Sequence, residues 1–103
     1  MKAKAKVVWT HLAIDDLDSI RSFIHFDDPR AAVSTATGIL KATARLSTLP
    51  FVGRPGRVLN TRELVLEDRP YIVAYRVTAG VVEVLRVLHT SRRWPKRLRG
   101  RDY

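Results

Sequence analysis

The chain has 103 residues, of which 46% are hydrophobic, and it carries a formal net charge of +9 with no cysteine. This composition predicts one folded domain and excludes a disordered polycation, disulfide bonds, thiolate metal sites and cysteine nucleophiles. The positive charge favours nucleic acid, the ribosome, an anionic membrane or an acidic protein as partner.

The first half of the chain predicts a short strand followed by two helices. Residues 5–9 form the strand, and Thr10 is placed to cap the helix that follows it. Asp28-Pro29 supplies a second cap with proline at the first helical position, so a second helix should run from Pro29 to about Leu49. Its small residues permit close approach to the first helix and predict a helical hairpin. The inward stripe of the second helix is Ala32, Ala36, Ile39, Thr43 and Leu46.

The second half of the chain predicts a small sheet. Pro50 ends the second helix, and residues 51–60 form a loop rich in glycine and proline. Strands are predicted at about residues 61–66, 71–77 and 81–89. The order is therefore βααβββ, an α+β fold in which a helical hairpin packs on a mostly antiparallel sheet.

A tight hairpin turn at residues 78–81 fixes the expected pairing of the last two strands. It sets Arg76 opposite Glu83 as a cross-strand ion pair, and it sets Val73 opposite Arg86. We expect residues 1–95 to form the single domain and residues 96–103 to form a basic, mobile tail.

Charge is segregated along the chain. Half of the ten acidic residues lie between Asp15 and Asp28. We expect three of them, Asp15, Asp16 and Asp18, to form a solvated helix face. The basic residues gather at the start of the chain, between Arg54 and Arg62, and after Arg92, and a generic soluble surface does not require such polarity.

One set of motifs spans nearly the whole chain. It comprises the aspartate-rich first helix, Leu49-Pro50, Gly53-Arg54-Pro55, and the strand sequences Thr61–Val65, Tyr71–Val77 and Val84–His89. In this combination the sequence resembles the RelE/ParE superfamily of toxins from bacterial type II toxin–antitoxin systems, which serve in plasmid stabilisation and stress responses. The resemblance implies a RelE/ParE-like fold and a hetero-oligomer with a cognate antitoxin. It also implies that the free toxin either cleaves mRNA on the translating ribosome or poisons DNA gyrase.

The two activities need different residues. The best-known ribonuclease branch carries lysines where Glu63 and Val65 stand here, and the only tyrosine after the last strand is Tyr103. The gyrase-directed branch resembles this chain in ending its last strand with a Leu-His pair, here Leu88-His89, and it has no catalytic constellation. We therefore favour a ParE-like gyrase inhibitor that acts by binding and is not an enzyme. The alternatives are a RelE-like ribosome-dependent endoribonuclease and a non-toxic basic nucleic-acid-binding module.

Several side chains are candidates for the functional site, each with a structural alternative. His89 is either a general base or a hydrogen-bonding group at the sheet edge. Arg86 forms either a buried ion pair or part of a surface site. Arg62 either binds phosphate or acidic side chains or simply pairs with Glu83 or Glu63. A ribonuclease would use His89, Arg57, Arg62 and Arg92. A target- or antitoxin-binding surface would use Arg62, Arg86, His89, Arg92, Arg93 and Trp94, with Trp94 either packed on the core edge or stacked on a base.

We expect no metal and no cofactor, because the three histidines lack metal-ligand spacing. No apolar run approaches the roughly 20 residues that span a bilayer. Without a signal-like start to the chain, we expect a cytoplasmic protein that does not bind membranes.

Overall fold

In the computed structural model, which describes residues 4–98, two helices pack on one face of a five-stranded sheet. The helices are α1 (His11–Asp27) and α2 (Pro29–Ala44), and the strands are β1 (Lys6–Trp9), β2 (Arg54–Pro55), β3 (Arg62–Val65), β4 (Tyr71–Thr78) and β5 (Val81–His89). The spatial order is β1-β5-β4-β3-β2, with β1 parallel to β5 and every other pair antiparallel. The predicted α+β fold is confirmed, and β2 is an additional short strand within the predicted loop.

Both predicted helix caps are present. The Thr10 hydroxyl accepts a hydrogen bond from the backbone N–H of Ala13 at 3.1 Å and donates one to the carbonyl oxygen of Leu85 at 2.9 Å, so it also ties α1 to β5. The Asp28 carboxylate accepts hydrogen bonds from the backbone N–H groups of Arg30 and Ala31. Each cap satisfies N–H groups that would otherwise be unpaired at the start of a helix.

The second helix ends earlier than predicted. It stops at Ala44 instead of Leu49, and Arg45–Ser47 continue as one turn of 3₁₀ helix. The Ser47 hydroxyl donates to the carbonyl oxygen of Ala5 at 2.9 Å, and the Ser47 carbonyl accepts from the Ala5 N–H at 2.8 Å. The end of the helix is therefore tied to the chain before β1, a contact that the local sequence could not indicate.

The core lies between the helices and the sheet. Tyr71, Val73 and Tyr75 alternate along β4 and point toward the helices, where they meet Ile39 and Leu46. Of the stripe predicted for α2, Ala32, Ile39, Thr43 and Leu46 are buried, and Ala36 is half-buried. No helix among residues 4–98 is long and apolar enough to cross a membrane.

The hairpin between β4 and β5 turns as predicted. Thr78 pairs with Val81, and the two turn residues between them have positive φ, at 50° for Ala79 and 75° for Gly80. Arg76 therefore lies opposite Glu83, and its Nη2 is 2.6 Å from the Glu83 Oε1. The predicted cross-strand ion pair is confirmed.

The pairing predicted further along this hairpin is wrong by one residue. Val73 pairs with Val87, not with Arg86, because the register shifts at a bulge in β5. Leu85 is the extra residue there, since the pairs on either side of it are formed by Val84 and Arg86. A bulge inserts one residue into one strand only, and it re-aims the neighbouring side chains.

Candidate functional site

The bulge brings Arg86 to the side of helix α1. Strand β1 pairs with residues 81–84 of β5. After these residues, the carboxylate of Asp16 in α1 accepts the hydrogen bond from the Val87 N–H that a neighbouring strand would otherwise accept. The Asp16 Oδ2 accepts from the Val87 N–H at 2.9 Å and from the Arg86 Nε at 2.7 Å, and its Oδ1 accepts from the Arg86 Nη2 at 2.9 Å. The hydrogen bonds from Arg86 to Asp16 raise the pKa of this arginine, against the opposing effect of burial.

This geometry decides between the two interpretations of Arg86. The side chains of Arg86 and Asp16 are only 23% and 15% exposed, so they form a largely buried, bidentate ion pair. Asp16 is therefore not part of a solvated helix face, as its place in the aspartate run suggested. Asp15 and Asp18 are exposed, as expected.

His89 ends β5 and organises the turn that follows. Its Nδ1 accepts a hydrogen bond from the Ser91 N–H at 3.1 Å, and the Ser91 hydroxyl lies 2.8 Å from the same nitrogen. The Arg92 N–H donates to the His89 carbonyl oxygen at 3.2 Å, and the ring of Tyr71 meets the imidazole edge-on at 5.4 Å. Since Nδ1 accepts from a backbone N–H, the neutral ring carries its proton on Nε2. In this tautomer the imidazole presents its Nε2 N–H to the surroundings.

A cleft of about 490 Å³ lies beside this turn, between α1 and the end of β5. Ile20, Tyr71 and Leu88 contribute apolar floor, while Arg92 and Arg93 stand exposed at its rim. The structure thus brings four predicted site residues together: Arg86, His89, Arg92 and Arg93. Arg86 is already paired with Asp16, which leaves Arg92 and Arg93 as the cations of the cleft that have no carboxylate partner among residues 4–98.

A second polar cluster lies near β2 and β3, and Glu63 is its centre. The Glu63 side chain is 3% exposed, and it binds the Arg54 Nη2 at 2.9 Å and the Arg57 Nε at 3.1 Å. Its Oε2 also accepts from the Arg57 backbone N–H at 2.9 Å. Burial by itself would raise the pKa of Glu63, but the hydrogen bonds from Arg57 and Arg54 outweigh it and lower the pKa.

Arg57 of this cluster also contacts the segment that follows β5. Its guanidinium carbon lies 3.5 Å from the centroid of the Trp94 ring, in a cation–π contact. Trp94 is half-buried, and its indole N–H is buried with no hydrogen-bond partner among residues 4–98. Sequence reasoning named Trp94 and Arg57 separately and missed both their contact and the role of Glu63. The two arginines close to Glu63 in sequence were the signal for an ion-pair cluster.

Arg62 supports the loop before β3. Its Nη1 donates to the carbonyl oxygens of Phe51 and Gly53, at 3.1 and 2.8 Å, and its guanidinium lies 5.1 Å from the Phe51 ring. Tyr75, which is fully buried, accepts a hydrogen bond from the Gly53 N–H at 2.9 Å. Burial raises the pKa of the Tyr75 hydroxyl, and the bond from Gly53 opposes that effect. Arg62 is thus bound to carbonyl oxygens of the loop.

The residues predicted for a ribonuclease are divided between these two clusters. Arg62 pairs with Tyr75 on one side of β4, and His89 pairs with Tyr71 on the other side. Four residues of strand separate the two pairs, which is about 13 Å along β4. Among residues 4–98, no group of three His, Cys, Asp or Glu side chains could hold a metal ion. The predicted tail falls partly on residues 99–103, which lie outside the described residues.

Comparison with known proteins identifies the family. The family model described as "ParE toxin of type II toxin-antitoxin system, parDE" matches residues 7–94. The chain belongs to this toxin family. It is 43% identical over 94 residues to "Putative toxin Y4kP" of Sinorhizobium fredii, covering 91% of this chain and 97% of that protein. It is 38% identical over 88 residues to "Toxin RelE2" of Caulobacter vibrioides, covering 85% and 98%.

Two solved structures are similar to this ParE-family chain. One, from the chromosomal ParDE toxin–antitoxin system of P. aeruginosa, has a TM-score of 0.78 at 26% identity and covers 85% of this chain and 98% of that one. The other, from the toxin–antitoxin complex RelBE2 of Mycobacterium tuberculosis, has a TM-score of 0.60 at 25% identity and covers 84% and 99%. The protein is therefore a type II toxin of the RelE/ParE superfamily. Relatives named for both branches are among the matches.

Proposed function

We propose that this toxin inhibits DNA gyrase by binding it and acts without catalysis. The observation that supports the proposal is the internal pairing of the cations that RNA cleavage would need. Cleavage by a neighbouring 2′-hydroxyl requires a base, an acid and free cations around the phosphorus. Here Arg57 is bound to Glu63, Arg62 to carbonyl oxygens and Arg86 to Asp16.

The cleft at the end of β5 is the proposed contact surface for gyrase. Arg92 and Arg93 are exposed cations, and Phe23 of α1 stands beside them with 70% of its surface exposed. An exposed aromatic side chain next to open arginines is the composition found at protein-binding hot spots. This surface suits an acidic, partly apolar patch on a protein partner.

We also propose that a cognate antitoxin neutralises the toxin in a hetero-oligomer. The similar P. aeruginosa structure is of a ParDE toxin–antitoxin system, and the M. tuberculosis structure is of a toxin–antitoxin complex. The chain itself exposes a group of large apolar side chains around the loop that precedes β3, and such patches mark partner surfaces. They are Leu49, Phe51, Val52 and Leu59, each between 56% and 85% exposed.

Charge supports an acidic partner segment. With a net charge of +9, the toxin should bind an antitoxin segment that carries apolar anchors and acidic side chains. The association rate of the two purified proteins should fall as salt rises from about 50 to 500 mM, because added ions screen such attraction. An association rate that is unchanged over this range would remove the electrostatic part of the proposal.

Two assays on the purified toxin test the target. The proposal predicts inhibition of gyrase supercoiling and no cleavage of mRNA on translating ribosomes. His89→Ala should leave the inhibition within a few-fold, whereas a general acid or base contributes about 10²–10⁴-fold in rate. Since both targets are cytoplasmic, we propose that the toxin acts in the cytoplasm.

A ribosome-dependent endoribonuclease is the second candidate. It is favoured by the 38% identity to the Caulobacter protein named RelE2 and by the position of His89 beside two open arginines. mRNA cleavage that His89→Ala reduces by 10²-fold or more, with the protein still folded, would replace the gyrase proposal with this one.

A further inference from the structure

The segment after β5, residues 91–98, is called here the basic segment, and it connects the end of β5 with the cluster around Glu63. It leaves β5 at His89, and five residues later Trp94 contacts Arg57 beside β2 and β3.

Glu63 lies on the face of the sheet that is turned away from the helices. Glu63 pairs with Ala74, which alternates along β4 with the helix-facing residues Val73 and Tyr75. Ala74 and its neighbour on this face, Ile72, are 0% and 3% exposed although they point away from both helices. This part of the face is therefore shielded from solvent.

The Trp94 end of the basic segment is held by its stacking contact with Arg57, and Glu63 orients Arg57 for that contact. Its buried carboxylate takes hydrogen bonds from the side chain and from the backbone N–H of Arg57, at 3.1 and 2.9 Å. These bonds fix the plane of the Arg57 guanidinium, and the face of that plane lies against the Trp94 ring. A guanidinium is planar and stacks on aromatic rings, which a lysine ammonium cannot do in the same way.

The other end of the basic segment is held by hydrogen bonds to His89. The bonds from Ser91 N–H to the His89 Nδ1 and from Arg92 N–H to the His89 carbonyl oxygen close a turn at the end of β5. Arg92 and Arg93 therefore lie between two fixed points, although both side chains are exposed.

We propose that the Arg57–Trp94 stack is a latch, oriented by Glu63, that holds the basic segment in place and so positions Arg92 and Arg93 for an acidic surface of the target. The positioning part rests on the proposed function, while the latch itself does not. Cations on a segment that is already ordered lose less conformational entropy on binding than cations on a free tail. Arg57 and Glu63 are thus positioning residues that act through Trp94 and need not touch the partner.

The chain offers a matched pair of variants to test the latch. Arg54 and Arg57 both pair with Glu63, and their side chains are 55% and 46% exposed, but the contact with Trp94 is made by Arg57. Arg57→Ala and Arg54→Ala each remove one charge and one ion pair with Glu63. They differ because Arg57→Ala also removes the stacking contact with Trp94. A Trp9→Phe background leaves Trp94 as the single tryptophan of the chain, which has two.

The first readout is structural and uses the free toxin. We expect Arg57→Ala to raise acrylamide quenching of Trp94 fluorescence about two-fold or more and to speed amide exchange in residues 91–98 about five-fold, as loss of one cation–π contact implies. Arg54→Ala should change both by less than about 1.5-fold. Arg57→Lys should fall between them, because it keeps the charge and loses the planar face. Equal effects of the two alanine variants would overturn the latch.

The second readout is binding of gyrase by the folded variants. Arg57→Ala should weaken binding about five-fold, with Arg54→Ala within about two-fold of the parent protein. If the latch opens in the fluorescence assay and gyrase binding is unchanged, the positioning role is overturned. If the parent protein itself does not bind gyrase, the proposed function fails, and the fluorescence and exchange data still decide the latch.

Discussion

Asp16→Ala should be among the most destabilising substitutions of a polar residue in α1. Asp16 accepts two hydrogen bonds from Arg86, 70 residues away in sequence, and one from the backbone N–H of Val87, 71 residues away. The alanine variant leaves a guanidinium that is only 23% exposed without its carboxylate, and it leaves a backbone N–H at the edge of β5 without an acceptor. Both groups lose partners that they cannot fully replace with water.

The size of the effect follows from these losses. An unsatisfied N–H costs about 1–3 kcal/mol and a charge-assisted hydrogen bond contributes about 1.5–3 kcal/mol, while partial exposure of the pair reduces the sum. We therefore expect Asp16→Ala to lower the free energy of unfolding by about 3 kcal/mol. For a domain of this size such a loss lowers Tm by roughly 12–24 °C. Since small domains are stable by about 5–15 kcal/mol, the variant should still fold at room temperature.

Urea denaturation followed by circular dichroism measures this loss of stability. Two further variants show whether the loss comes from the contacts of Asp16 with Arg86 and Val87. Asp16→Asn keeps an oxygen for the Val87 N–H and loses the charge, so it should cost about half as much. Asp18→Ala removes an exposed carboxylate from the same helix and should cost less than about 1 kcal/mol. If Asp16→Ala and Asp18→Ala shift the denaturation midpoint equally, the ion pair with Arg86 does not stabilise the fold.

Three further substitutions test other parts of the structure. Gly53→Ala should lower the free energy of unfolding, measured by thermal denaturation, by about 1–3 kcal/mol, because the new Cβ would lie 2.6 Å from the Tyr75 Oη. A variant as stable as the parent would show that the loop backbone can move away from Tyr75 without cost. Glu63 has a pKa below 4.5 in the folded protein and near 4.5 in the unfolded chain, so its contribution is present above pH 4.5 and is lost as pH falls through the folded pKa. The free energy of unfolding should therefore fall more steeply below pH 4.5 in the parent than in Glu63→Gln, and equal slopes would contradict this assignment. Thr10→Val removes the cap hydroxyl at nearly constant volume and should lower the free energy of unfolding by about 1–2 kcal/mol, measured in urea, unless the Ala13 N–H finds another acceptor.

The order of elements and the helix starts could be predicted because they depend on nearby residues. Thr10 and Asp28 cap the helices that follow them, and the Arg76–Glu83 pair follows from a two-residue turn between adjacent strands. In each case the partners are at most eight residues apart, so backbone preferences and side-chain periodicity determine the contact. The group of His89, Arg92 and Arg93 was predictable for the same reason, because these residues are neighbours in the chain.

Contacts between distant segments were decided by the tertiary structure. The bulge at Leu85 changes which residues of β5 face α1, and it converts Arg86 from an ambiguous strand residue into the partner of Asp16. The 3₁₀ turn that ends α2 and the short strand β2 likewise depend on neighbours that come from other parts of the chain. Local sequence carries no information about which of several arginines a carboxylate will meet once the helices pack on the sheet.

The sequence by itself determined the family, the α+β order and the concentration of positive charge after the last strand, because motif spacing, hydrophobic periodicity and composition are properties of the linear chain. Only the tertiary structure decided which charges are open. It buries Glu63 between Arg54 and Arg57, turns Arg57 onto Trp94 and pairs Arg86 with Asp16. The physical reason is that a charged group is available to a partner only if folding has not already neutralised it, and that depends on the distances between segments that the chain order does not specify.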